Sequence, residues 1–211
     1  MTKEELYGMT LKQRSELFDN LLRSTNRQGV DKVIDYLKTT DFYICPASTK
    51  YHGNFEGGLL LHSLLVYASA EAIYNSLSMI SPNIFNKISK ENIIITSLLH
   101  DICKVGTYVK ANKNVKVNGV WRTEETYEIQ DNFPFGHGDK SVLMLSVCGL
   151  EMETSEMIAI RWHMSNWDLP YGQTQKTFID ARNKYPLLTL LITADDTSSL
   201  LIEDIAPSKL I

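Results

Sequence analysis

Four polar positions fall where the surrounding pattern calls for apolar side chains. His62 shares a helical stripe with Val66, Ser69 and Ile73, the pair His100-Asp101 follows Ser97-Leu98-Leu99, and Asp195 closes the run Leu190-Leu191-Ile192-Thr193-Ala194. A carboxylate buried in such a run is costly unless it is paired, so these residues need partners. A divalent cation can neutralise several of them at once, and helices crossing in a core bring distant positions together. A lone histidine on an apolar face is more often a hydrogen-bonded core residue, and a lone His-Asp pair is equally weak. The set as a whole is what points to a metal centre.

The segments that must position these residues are mostly helical in pattern. Leu11 to Arg23 and Val30 to Leu37 carry amphipathic spacing. The small and turn-forming residues Cys45 to Gly53 predict an irregular loop that ends at Gly57-Gly58. Leu59 to Leu77 predicts a buried helix with His62 early in it. Asn92 to Lys104 predicts another, because its length with Leu98 and Leu99 outweighs the β-branched run Ile93-Ile94-Ile95-Thr96. Further helices are expected over Lys140 to Cys148, over Thr154 to His163 with Thr154 as N-cap, over Gln175 to Lys184, and over Leu187 to Leu201 behind Pro186. Between Thr107 and Gln130, alternation around Asn118-Gly119 predicts a hairpin insertion of two or three strands.

Length and composition narrow the class. A chain of 211 residues buries one substantial core, so a single domain is expected, with residues 1–40 as an N-terminal helical extension. With 44% hydrophobic and 22% charged residues it has the profile of a chain that folds. The acidic start Met1-Thr2-Lys3-Glu4-Glu5 has no secretory pattern, and the apolar runs are too short to span a bilayer; a cytoplasmic location without a membrane partner is the expectation. Cys45, Cys103 and Cys148 lack any C-x-x-C spacing and read as reduced, buried thiols. A net charge of −4 argues against a broad duplex-DNA surface, with a local basic exception at Lys104, Lys110, Lys113, Lys116 and Arg122.

The order His62, His100-Asp101, Asp195 resembles the H…HD…D signature of the HD-domain metal-dependent phosphohydrolase superfamily. Gly57-Gly58-Leu59-Leu60-Leu61-His62-Ser63 resembles the "GGLLEHS" segment of bacterial and phage HD hydrolases and of HD-type 3′-to-5′ exoribonucleases. Leu98-Leu99-His100-Asp101-Ile102-Cys103-Lys104 resembles their "LLHDIGK". The likeness extends from Ala47 to Gly53 through Phe133 to Ser141 and Ile160 to His163 as far as Ala194-Asp195. Two departures stand out: Cys103 occupies a position where many relatives have Gly, and Asp195-Asp196 offers two candidates for the last ligand, of which the family pattern favours Asp195.

The resemblance implies a mainly α HD-domain helical bundle with a β-hairpin insertion around 107–130. It also implies two divalent transition-metal ions (Mn, Fe, Ni, Co or Zn), ligands suited to which are imidazole and carboxylate. His62, His100 and Asp195 would serve one ion, His137 and His163 the other, and Asp101 would bridge them. Metal-bound hydroxide would attack a phosphoester, with Asp101 and Lys104 as catalytic residues and Lys104, Lys140 and Arg161 as substrate contacts. Lys104 is expected one helical turn beyond His100, on the side of the ligands. Phe133, Phe135, Trp162, Trp167 and Tyr171 are candidates to stack on a base, and His52 is kept outside the metal set. The expected partner is a small phosphorylated substrate, a nucleotide above all, with single-stranded RNA as a second choice. An exoribonuclease-like nuclease, a di-iron oxygenase and a non-catalytic metal-stabilised binding module are the alternatives.

Overall fold

The most apolar stretch of the chain becomes the central helix. The computed structural model describes residues 1–165 and 175–203, apart from the side chains of Val117 and Gln175. Helix α4 has a position in chain order after α1 (Lys3–Gly8), α2 (Leu11–Ser24) and α3 (Val30–Lys38); it spans Gly58–Ser78 and is buried on every side from Gly58 to Tyr67. A short α5 (Pro82–Phe85) and then α6 (Lys90–Leu99) follow. Beyond a two-stranded sheet come α7 (His137–Val147), α8 (Thr154–Trp162), α9 (Gln175–Lys184) and α10 (Pro186–Thr197), the last running into a wider π turn, Ser198–Ile202. The chain is thus mainly helical, and no helix of the described residues is long and apolar enough to cross a membrane.

Helices α4, α6, α8 and α10 pack against one another, α7 lies on α8, and α2 rests on α4 and α6. Leu6, Phe18, Leu22, Val33, Ile34 and Leu37 from the first three helices join the same buried cluster as Leu60, Leu64, Leu98 and Leu191. The N-terminal segment therefore helps complete the core. Helix α1 is an element that the amphipathic pattern does not predict; a capping box, Thr2 with Glu5, starts it.

The run Ile93-Ile94-Ile95 is helical despite its β-branched residues, because all three side chains are buried within α6 and Ser89 with Asn92 caps its start. The helix does not continue to Lys104 as expected. It ends at Leu99, Asp101 leaves helical geometry (φ −102°, ψ 16°), and a 3₁₀ turn covers Ile102–Lys104. The Ser141 hydroxyl of α7 explains how the break is tolerated: it donates to the His100 carbonyl at 2.6 Å and accepts from the Cys103 amide at 3.3 Å.

The hairpin has two strands, β1 (Tyr108–Val117) and β2 (Val120–Ile129), antiparallel, with Val117 opposite Val120. Asn118 and Gly119 both take positive φ, 50° and 84°, as a tight two-residue turn requires. Helix α8 begins one residue earlier than its expected cap implies. Glu153, not Thr154, is the N-cap, because its side chain accepts from the Glu156 amide while Glu156 accepts from the Glu153 amide at 2.7 Å. Glu156 is itself fully buried and held by Arg27 at 2.8 and 3.0 Å and by Asn92 at 2.9 Å.

Two glycines permit the close approaches that assemble the site. A Cβ at Gly58 would stand 1.9 Å from the Gly53 carbonyl oxygen, so only glycine lets the 45–57 loop fold down on the first turn of α4. A Cβ at Gly138 would stand 2.1 Å from the Arg161 carbonyl oxygen, so α7 and α8 meet backbone to backbone there. Of the thiols, Cys45 and Cys103 are buried and Cys148, the residue that ends α7, is only half-buried; all three are free.

Candidate metal centre

Five helix termini or near-termini converge on one buried cluster. His62 lies in the second turn of α4, His100 caps α6 with Asp101 just after it, His137 opens α7, His163 caps α8, and Asp195 lies near the end of α10. All six residues singled out in the sequence come together. His62, His100, Asp101 and His163 are buried, the side chains of Asp195 and His137 keeping 18% and 26% exposure.

Asp101 divides the cluster in two. Its Oδ2 stands 3.5 Å from the Nε2 atoms of both His62 and His100. Its Oδ1 stands 2.6 Å from His137 Nε2 and 3.4 Å from His163 Nε2. On the first side, His62 Nε2 is 3.2 Å from His100 Nε2 and 3.3 Å from Asp195 Oδ1. Asp196 is exposed, and Asp195 is the acid that lies in the cluster.

The donor atoms are arranged as ligands. The Ser97 and Ile160 carbonyls can only accept, so His100 and His163 donate to them through Nδ1–H, at 2.9 and 2.6 Å. A neutral ring so engaged presents a bare Nε2. When the ring is neutral, the buried His163 Nε2 and the Asp101 oxygen 3.4 Å away are two acceptors facing each other; burial lowers this ring, and Asp101 outweighs burial and raises it. A cation resolves such a contact. Ligand atoms about 2.1 Å from one ion stand roughly 3.0–3.4 Å from each other, and the His62–His100 and His62–Asp195 separations, 3.2 and 3.3 Å, fall within that range. The groups His62, His100, Asp195 and His100, Asp101, His163 can each hold a metal ion, as can Asp101, Cys103, His137.

The electrostatics divide the rings. Burial pushes His100 down to about 4, so its ring is neutral. Burial acts on His62 in the same direction, but the charge of Glu203 and the hydrogen bond the ring donates to Asp195 outweigh it and raise the ring to about 10, so at neutral pH it is cationic, with a proton on each nitrogen. Asp101 and Asp195 are both held far below the usual carboxylate range. Burial opposes this, and the cation of Lys104 overcomes it for Asp101, as the hydrogen bond from His62 does for Asp195. Two ionised acids thus sit inside a ring of imidazoles.

Lys104 reaches the site by another route than the expected continuous helix. The 3₁₀ turn brings its ammonium to Asp101 Oδ2 at 2.6 Å, with the side chain 13% exposed. Lys140 and Arg161, the other expected substrate contacts, are engaged nearby: Lys140 is buried against Asp131 at 2.7 Å, and Arg161 pairs with Asp139 and lies over the Trp162 ring. Trp162 is buried against Phe178, whereas Phe133 and Phe135 stack on each other and remain exposed. Trp167 and Tyr171 lie outside the described residues.

Two groups beside the cluster carried little signal in the sequence. His52 stacks on His62 with ring centroids 4.8 Å apart, and burial holds its ring neutral, near pKa 4. Glu203, its side chain 2% exposed, meets His62 Nδ1 at 2.6 Å. An acid closing the apolar run Leu200-Leu201-Ile202 was the one available hint. Compared with protein-family models, with curated proteins and with solved structures, the chain gives no match, so the geometry of this cluster carries the functional argument.

Proposed function

We propose that this chain is a metal-dependent phosphohydrolase of the HD type, acting on a small nucleotide or a similar phosphoester with two divalent transition-metal ions. The observation that carries the reading is the division of Asp101: one carboxylate oxygen faces His62, His100 and the side of Asp195, and the other faces His137 and His163. A bridging carboxylate between two sets of imidazoles is what a dinuclear centre needs. The ligand set of nitrogen and oxygen suits Mn, Fe, Ni, Co or Zn.

When bound, such ions acidify water and withdraw charge from a phosphoryl group. The chain's own residues supply the rest. His100 and His163 are locked by their Ser97 and Ile160 bonds, so their Nε2 atoms need no reorganisation on binding. Lys104 carries the cation closest to the bridging acid, and its charge is secure because the pairing with Asp101 raises it well above the ordinary lysine value against the pull of burial. From there it would bind a phosphoryl oxygen.

A small substrate is favoured over a polynucleotide by the hairpin. Lys113 stands opposite Glu124 in the register, Lys110 lies 4.0 Å from Glu56, and Lys116 sits over Trp121. The lysines that looked like a basic track are therefore interleaved with acids, which weakens any attraction for a long polyanion.

The test is to purify the protein, count its bound metals, and assay mono-, di- and cyclic nucleotides and short RNA beside Asp101→Ala. Hydrolysis of a nucleotide by the wild type and its loss in the variant are expected. A metal-loaded wild type that cleaves none of these would leave a metal-stabilised binding module as the better reading, and oxygen consumption by an iron-loaded form would favour an oxygenase.

A further inference from the structure

We infer that Glu203 is a positioning residue for the metal centre, fixing the proton of His62 on Nδ1 so that Nε2 points to the ion. The inference rests on the reading of His62 as a ligand. His62 differs from the other two buried imidazoles in how it is held. His100 and His163 each donate to the carbonyl three residues earlier in their own helix. The carbonyl three residues before His62 belongs to Leu59 and accepts from the Ser63 hydroxyl at 3.0 Å. A carboxylate from the far end of the chain takes over instead, 141 residues away in sequence.

The backbone is arranged to deliver it. On a regular α-helix, positions 195 and 203 would lie about 12 Å apart along the axis, yet Asp195 and Glu203 reach the two nitrogens of one ring, at 3.3 Å from Nε2 and 2.6 Å from Nδ1. The π turn Ser198–Ile202 ends α10 and Glu203 takes extended geometry (φ −72°, ψ 139°), its amide donating to the Ser198 carbonyl at 2.9 Å. The Ser198 and Ser69 hydroxyls, 3.0 Å apart and buried, pin that turn to α4. Glu203 is thereby brought back behind His62. A carboxylate there both selects the tautomer and makes the ring a stronger donor, and loss of such a partner typically weakens metal affinity 10–100-fold.

The experiment measures zinc affinity by competition with a chromophoric chelator, and the His62 tautomer by long-range ¹⁵N–¹H spectra of the zinc-loaded protein, in wild type, Glu203→Ala and the isosteric Glu203→Gln. Circular dichroism establishes that each variant is folded. We expect about 10–100-fold weaker zinc binding in both variants and loss of the single Nδ1–H tautomer of His62 in Glu203→Ala, with the His100 and His163 rings unchanged. Unaltered affinity and an unaltered His62 tautomer in both variants, beside a wild type that does bind zinc, would overturn the role of Glu203 alone. A wild type that takes up no zinc removes the metal reading itself and this inference with it.

Discussion

Lys104 and Asp101 are three residues apart and form a buried ion pair at 2.6 Å across the break that ends α6. The pair makes Lys104 dependent on a carboxylate that the proposed centre also uses as its bridge. If Lys104 binds a phosphoryl oxygen as proposed, replacing it with Met should leave the metal content of the purified protein unchanged while lowering kcat at least ten-fold. Metal analysis beside steady-state kinetics separates the two effects. Equal loss of metal and of activity would mean that Lys104 only supports the ligand cluster.

The adjacent acids Asp195 and Asp196 should behave oppositely. Asp195 is held by His62 and is nearly buried, whereas Asp196 is exposed, and burial with the charge of Asp195 moves its carboxyl up. Asp195→Asn is expected to weaken metal binding by more than ten-fold and Asp196→Asn by less than two-fold, as read by chelator competition. A reversal would exchange their roles.

Much of this was legible in the sequence because the candidate ligands stand out against apolar helices. His62, His100, Asp101 and Asp195 are recognisable as polar interruptions of mainly apolar runs, and Asn118-Gly119 marked the hairpin turn. What escaped depended on tertiary bonds. The end of α6 at Leu99 depends on a hydroxyl of α7, Ser141, that satisfies the freed backbone. Glu203 depends on a π turn that no local propensity announces, and His52 on a loop folded over α4 by Gly53 and Gly58. The convergence of α7 on α8 is likewise a matter of one missing side chain.

That missing side chain gives a third prediction. Gly138 abuts the Arg161 carbonyl, and a methyl group there must push α7 from α8, carrying His137 away from His163, whose rings now stand 5.1 Å apart. Gly138→Ala should cost about 1–3 kcal/mol of stability and, if the protein holds the two ions proposed, should lose one of them while the His62, His100, Asp195 side retains the other. Metal stoichiometry falling from two to one is the decisive reading; two ions retained would place the second centre elsewhere.

Stability far from the centre should hinge on Glu156. Its carboxylate is fully buried between Arg27 and Asn92, joining the α2–α3 connection to α6 and α8. Arg27→Ala strands that charge, and breaking a buried pair from one side costs about 3–5 kcal/mol. Urea unfolding of the metal-free protein should register this loss, and Arg27→Ala with Glu156→Gln should recover part of it, because the charge that made the vacancy expensive is gone.

Acid should expose a second ion pair. Burial pushes the Asp131 carboxyl up, but the hydrogen bond from Lys140 and the Phe133 amide outweigh it, so its folded value lies below the unfolded one. A carboxyl depressed in this way stabilises the fold above its unfolded pKa, near 3.9, and the contribution disappears as pH falls through the folded value. Wild type should therefore exceed Asp131→Asn in Tm by a constant margin from about pH 5 to 7, and the two melting curves should converge below about pH 4. A margin that persists undiminished into acid would mean that Asp131 acts through its shape and its bond to the Phe133 amide, with its charge playing no part.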